Sequence, residues 1–345
     1  MTTITIGANY LMNFNLRMFD LTSIPTALVQ KAWGKDTWKA AMKNIFFDKF
    51  TGKDANSIVQ IVDNLKKDAG DQVTIPLLLK LSGNGVVDDN ILEGNEEALQ
   101  YRDFAVTINQ FRHAVRLKGK FEEQKAKLTM RTDAKAGLQT WLTELVDGKI
   151  FNALSTGSTA DRTIYAGTAT AVGGVALTDV FTPDLIGKAK RIAQMSNPSI
   201  RPVKVNGTNH WVMIIDPYQA RDLKNNEKWI SAQESANIRG EQNPIFSGAL
   251  GMWDNVVIHE NEQVIRKAEG AGSAFVGRGL FLGAQAAVMA VAKDTDWNED
   301  VFDYGNQVGF AISQMFGIKK SQYKVDGTNL SDFACINVIT SSKAD

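Results

Sequence analysis

The chain has 345 residues, 44% of them hydrophobic, and its 38 lysines and arginines are matched by 38 aspartates and glutamates. That length allows one large core or two modest ones, while zero net charge excludes a chain that wraps nucleic acid or clings to an anionic membrane by bulk electrostatics. The single cysteine, Cys335, excludes an intramolecular disulfide and a cysteine zinc cluster.

Met1 to Ile6 has neither the basic region nor the apolar stretch of a signal peptide. Residues 1–30, rich in Thr and Asn without a sustained period, predict an extended N-terminal arm. Trp38, Met42, Ile45 and Phe46 then recur at three-and-four spacing, which predicts a helix from about Trp33 to Phe50 with Gly52 as its stop. A second short helix is expected over Asn56 to Lys67.

Gly70 opens a different pattern. Val73, Ile75, Leu77, Leu79 and Leu81 occupy alternate positions, the period of a strand with one buried face, and Pro76 places that strand at an edge. Phe104, Val106 and Ile108 alternate in the same way, after which the apolar phase slips by one to Phe111, His113, Val115 and Leu117, as a bulge would produce. The two runs read as the limbs of a hairpin covering 70–118. Between them, residues 82–100 hold three glycines and a cluster of acids and cannot form a core of their own. At ~3.3 Å per residue such limbs reach tens of ångströms, and an isolated hairpin of that kind is marginal in water, so it needs another surface to lie on.

Beyond Lys118 the pattern turns helical. Leu138, Trp141, Leu142 and Leu145 form an i, i+3, i+4, i+7 stripe inside what should be the longest helix, about 121–154. Thr182-Pro183-Asp184 supplies a cap and an initial proline for a helix to Met195. Trp211 to Ile215 is an apolar run fit for a buried strand, ended by Asp216-Pro217 and followed by a helix from about Tyr218 to Trp229. Val256 to His259 reads as a core strand, 280–291 as strand or helix, and Tyr323 to Thr340 as strand. The nearly apolar run Leu280 to Ala292, broken by Gln285, is shorter than the ~20 residues a bilayer demands.

Motifs of chemistry are scarce. The three histidines, His113, His210 and His259, have no metal-ligand spacing and read as structural. Asp294 to Asp300 imitates the start of a calcium loop, but Glu299 stands where glycine is needed and Gly305 where a bidentate glutamate is needed, so a solvated acidic loop is expected. Gly277, Gly279 and Gly283 lack the offsets of a dinucleotide cradle and suit close strand packing. Cys335 reads as a small core hydrophobe. No catalytic residue, cofactor or metal is assigned.

One charge pattern is uneven. Asp88, Asp89, Glu93, Glu96 and Glu97 cluster at the presumed hairpin tip, and Arg112, Arg116, Lys118, Lys120, Lys125, Lys127 and Arg131 follow on the return limb and helix. Solvated surface is the plain reading. The sharper expectation is that the acidic tip of one copy lands on the basic stretch of a neighbour and sets register in a head-to-tail contact.

At Gly70-Asp-Gln-Val-Thr, Leu81-Ser-Gly-Asn-Gly-Val, Leu92-Glu-Gly-Asn-Glu-Glu97 and Val106 to Val115 the sequence resembles the N-four-like phage major capsid family. Trp211-Val-Met-Ile-Ile-Asp-Pro217 and Gly248 to Val257 resemble the strand-helix and turn-strand units of tailed-phage coat proteins with the Hong Kong 97 fold. The resemblance implies an α+β protein with an N-terminal arm (1–30), an extended hairpin loop (70–118), a peripheral domain with a long spine helix (31–69, 119–180 and 301–345) and an axial domain (181–300). It further implies pentamers and hexamers in an icosahedral shell around double-stranded DNA, bound without sequence specificity and without membrane contact. A separate scaffolding protein, a portal and a possible decoration protein are the partners it implies, and the virion is the location. The rival of the same architecture is an encapsulin-like compartment around a cargo enzyme; the rival of another class is a soluble hydrolase or binding enzyme.

Overall fold

The computed structural model describes residues 45–63, 70–78, 85–99, 101–125, 130–205, 207–234, 248–324 and 329–344. The N-terminal arm and the start of the first expected helix lie outside them. The described end of that helix, Phe46–Phe50, is a 3-10 turn. It leads into β1 (Thr51–Gly52) and β2 (Val59–Val62). β2 therefore replaces the helix expected over 56–67. Val59, Ile61 and Val62 are β-branched, and Val59 pairs in parallel with Ala287, so sheet pairing overrides the weak helical period.

β3 (Gln72–Leu78) and β4 (Tyr101–Thr107) form the expected hairpin in antiparallel register, with Val73 opposite Val106 and Ile75 opposite Phe104. The slip of apolar phase is not a bulge. The Ile108 N–H donates to the Asp71 carbonyl and closes the hairpin, and the chain then crosses to a second sheet as β5 (Asn109–Arg116). α1 (Lys120–Lys125) and α2 (Met130–Ser155) follow. Leu138 and Leu142 of the expected stripe are buried, and Val146, Ile150 and Leu154 continue it into the core.

β6 (Thr163–Tyr165) precedes α3 (Pro183–Met195), where Pro183 sits in the first turn as expected, although Thr182 makes no side-chain cap bond. β7 (Val203–Val205) pairs with β8 (Thr208–Ile215), which contains the apolar run and is buried from His210 onward. Asp216 ends β8 by a capping box: its carboxylate accepts the Gln219 N–H at 2.6 Å while the Gln219 side chain accepts the Asp216 N–H. The helix expected to run to Trp229 is broken in two, α4 (Pro217–Lys224) and α5 (Glu227–Glu234). The break falls at Asn225-Asn226, where the Asn226 side chain accepts the Lys228 N–H and starts a new helix.

β9 (Gly251–Trp253) and β10 (Val256–Glu260) form a tight hairpin, and β11 (Arg266–Ala268) pairs with β12 (Phe275–Leu282). Gly277 faces the capping box so closely that a Cβ would strike Asp216 and Gln219, which is the close packing its sequence suggested. β13 (Ala287–Phe302) and β14 (Gln307–Lys320) make the longest hairpin. Asp294 to Asp300 thus belongs to a strand and not to a loop: Thr295 and Trp297 point inward, Glu299 accepts the Trp297 indole N–H at 3.1 Å, and Asp296 and Asp300 lie on the opposite face. β15 (Gln322–Lys324), β16 (Leu330–Asp332) and β17 (Cys335–Ser341) complete the chain.

Two main sheets result. One has the order β1-β2-β13-β14-β5; the other runs β6-β17-β12-β8-β10-β9, with β7 and β11 added. β17, expected in the peripheral return of the chain, lies in the second sheet beside β12. α2 packs across β14 and β5 of the first sheet and reaches β12 of the second. One contiguous core, from Phe47 through Leu142 and Phe281 to Ile336, joins the sheets, and Cys335 is buried in it.

Candidate assembly surfaces

The hairpin has two unlike halves. At its root, Val73, Phe104 and Val106 are buried against Val288, Ala290 and Tyr323 of the chain's own body. Arg102 Nε donates to the Lys324 carbonyl at 2.9 Å, and Lys319 Nζ donates to the Ala105 carbonyl at 2.9 Å while lying over the Phe104 ring. Phe104 is therefore a core residue.

Residues 85–99, beyond the root, are exposed almost throughout, and Asp88, Asp89, Glu93, Glu96 and Glu97 all face solvent. Gly94 takes a positive φ of 87° and its N–H donates to the Glu96 carboxylate at 2.8 Å, so the turn is built by glycine and a local acceptor. Charge reading missed the loop's apolar members. Val87, Ile91, Leu92, Leu99 and Tyr101 are 58–71% exposed, an arrangement of apolar groups on water that marks a contact surface. The pairs Val86-Val87 and Ile91-Leu92 were the available signal.

The basic stretch is partly assembled. Arg112 and Arg116 project from β5, with the Arg116 guanidinium 4.3 Å from the centroid of Phe302 at the end of β13. Lys118 and Lys125 share Glu122, at 3.9 and 3.4 Å, and Lys125 also lies over Phe121. Lys120 is exposed and its backbone N–H donates to Asn306. Lys127 lies outside the described residues; Arg131 falls in the first turn of α2. The structure places Arg116, Lys118 and Lys120 beside the β13–β14 turn, where Gln307 Nε2 donates to the Lys118 carbonyl, while Arg112 sits farther along β5, opposite Ser313.

Sequence reading also missed the end of the β13–β14 hairpin, where Val301, Phe302 and Tyr304 stand in solvent. The alternation of Val308, Phe310, Ile312 and Phe316 was the signal for β14. His210 and His259 are buried in strands and His113 stacks 4.8 Å from Trp141, the structural roles expected. Among the described residues, no helix is long and apolar enough to cross a membrane.

A family model described as "Phage capsid protein" matches residues 21–172 and 158–344. The chain belongs to the phage capsid protein family. The major capsid protein of Pseudomonas phage KPP25 is 30% identical, the match covering 89% of this chain and 93% of that one. The capsid of Ralstonia phage GP4 superposes with a TM-score of 0.78 at 30% identity, over 87% of this chain and 92% of that one. The cyanophage Pam1 capsid, at 21% identity and a TM-score of 0.74 over 87% of this chain and 92% of its own, shares the fold. This capsid protein therefore has the Hong Kong 97-type fold, and its function is that of a coat protein whose copies assemble into a phage head.

Proposed function

We propose that this coat protein, the main component of an icosahedral head around double-stranded DNA, closes the shell by laying the outer part of its β3–β4 hairpin, residues 85–99, across an adjoining copy. The observation that carries the reading is the contrast within the hairpin. Its root is fixed to its own body, whereas residues 85–99 hold five acids, no lysine or arginine, and four apolar side chains in water. A copy whose basic stretch spans Arg112 to Arg131 offers the complementary charge. Each contact is modest once lost motional freedom is counted, and overlap with several neighbours multiplies it.

In this reading the sheet containing β13, β14 and β5, with α2 as its spine, is the peripheral domain, and the β8–β10–β12 sheet with α3, α4 and α5 is the axial domain that gathers into pentamers and hexamers. The protein holds DNA by enclosure, without base-specific contacts and without chemistry of its own. It works in the virion after assembly in the host cytoplasm, with a separate scaffolding protein, a portal and a decoration protein as partners.

Glu96→Lys with Glu97→Lys tests the electrostatic part. Particle yield should fall at low salt, and the difference from the parent chain should shrink as salt screens the contact. Equal yield across salt concentrations would remove the acidic tip from the assembly contact.

A further inference from the structure

Beside the hairpin root two adjoining hollows open, of about 350 and about 420 Å³, and Lys319 and Gln322 line both. The first lies between α2 and β14 and is walled by Thr107, Asn109, Lys149 and Asn152; the second lies between β4 and β15, where Arg102 and Lys324 join. Among the described residues, no aspartate or glutamate lines the first, and Asp103 is the one acid that lines the second. Lys320 also reaches the first wall, but Asp332 neutralises it. Lys149, Lys319 and Lys324 have no such counter-charge: none of them forms an ion pair with a described residue. The Lys149 ammonium lies 5.1 Å from the centroid of Phe111 and the Lys319 ammonium 5.0 Å from that of Phe104, so cations cover both rings. Large apolar side chains stand in solvent only at the second hollow, as Tyr101 and Leu330.

We propose that the joined hollows are a phosphate-binding groove that takes the backbone of the enclosed duplex, with Lys149, Lys319 and Lys324 neutralising its phosphates. The assignment rests on the reading that the head encloses double-stranded DNA, and it fixes which face of the chain turns inward. A phosphodiester offers acceptors and no donor, so it needs cations with amide or hydroxyl donors and few carboxylates nearby. Thr107, Asn109 and Asn152 are exposed and supply the neutral donors. An acidic peptide is drawn by the same lysines, but a segment such as 85–99 brings Ile91 and Leu92, for which the first hollow has no open apolar surface. Contacts to phosphate alone are indifferent to base sequence, which suits a shell that encloses a whole genome. The position adds a mechanical consequence. Thr107 ends β4, Asn109 begins β5, Lys149 and Asn152 sit on α2, and Lys319 sits on β14. A phosphate seated among them bridges the hairpin root to the spine and braces that root as the head fills.

The test is binding of a short mixed-sequence DNA duplex to the unassembled chain, followed by fluorescence anisotropy over a series of salt concentrations. Lys149→Gln with Lys324→Gln removes two of the cations at exposed positions; Lys118→Gln with Lys120→Gln, on the basic stretch after β5, is the comparison. The groove variant should keep the parent's circular dichroism and lower the slope of log affinity against log salt by about two. It should also abolish the slowing of hydrogen exchange that the duplex brings to β4 and the end of α2. A parent chain that ignores the duplex, or a slope that falls only in the Lys118 and Lys120 variant, or in neither, would overturn the groove. Exchange slowed by inorganic phosphate but not by the duplex would mean a pocket for free anions and would overturn the DNA assignment. A groove variant with intact DNA binding and failed assembly would put an acidic segment of another copy there instead, and again overturn it. Heads recovered from infected cells with no DNA inside would overturn enclosure itself, which neither variant decides.

Discussion

Lys320 and Asp332 form a buried ion pair: the ammonium nitrogen is 2.8 Å from the carboxylate, and 2% and 0% of the two side chains are exposed. Ser158 accepts a second ammonium proton at 3.2 Å and Gln322 donates to the other carboxylate oxygen at 2.6 Å. The network ties the end of β14 to the segment after α2 and to β16. Asp332→Ala should cost about 3–5 kcal/mol of unfolding free energy, because it leaves an ammonium buried without its counter-charge. Urea unfolding of the unassembled chain measures it. The pair Lys320→Met with Asp332→Leu should recover most of the loss, and a single mutant as stable as the parent would refute the argument.

Asp147 on α2 accepts the backbone N–H groups of Phe46, at 2.9 Å, and Phe47, at 3.4 Å. Burial raises its pKa, and those two bonds pull the other way without cancelling the rise. A carboxyl whose pKa is higher folded than unfolded favours the fold most below the ordinary aspartate range, and that contribution is lost as pH rises through the raised folded value. Asp147→Asn should flatten the pH dependence of unfolding free energy in that window. Parallel curves for parent and variant would show that the titration lies elsewhere.

Gly317 of β14 lies directly beneath the hairpin root, and a Cβ there would strike the Thr107 carbonyl and press on Val106. Backbone cannot give way as a flexible side chain can. Gly317→Ala should therefore destabilise the chain by about 1–3 kcal/mol, with hydrogen exchange accelerated in β3 and β4 first.

Burial pushes the Cys335 thiol up to about 12. The thiolate, not the thiol, is the reacting form. Assembled particles should resist iodoacetamide at neutral pH, and one equivalent should react after unfolding; labelling of intact heads at the unfolded rate would show that the strand opens.

Local signals were readable and long-range ones were not. Pro183 at a helix start and the apolar run of β8 each specify an element within a few residues, and both stand where the pattern put them. β13 was hidden because Asp294, Asp296 and Asp300 alternate with Thr295 and Trp297, and the charges outweighed the inward pair in a reading blind to the partner strand. The same holds for the contact surfaces. Five acids in fifteen residues are visible as composition, whereas a groove walled by Lys149, Lys319 and Lys324 exists only where α2, β14 and β15 meet.

The hairpin runs into β5 through Ile108 alone, with no slack linker. A pull on its tip, as when packed DNA presses a shell outward, would travel along the axis of β5 and strain the Gly309-to-Phe316 ladder of β14 in parallel. Rungs loaded together yield at higher force than rungs peeled one after another, so the shell's tensile strength would be set by a sliding junction inside each molecule as well as by the seams between them.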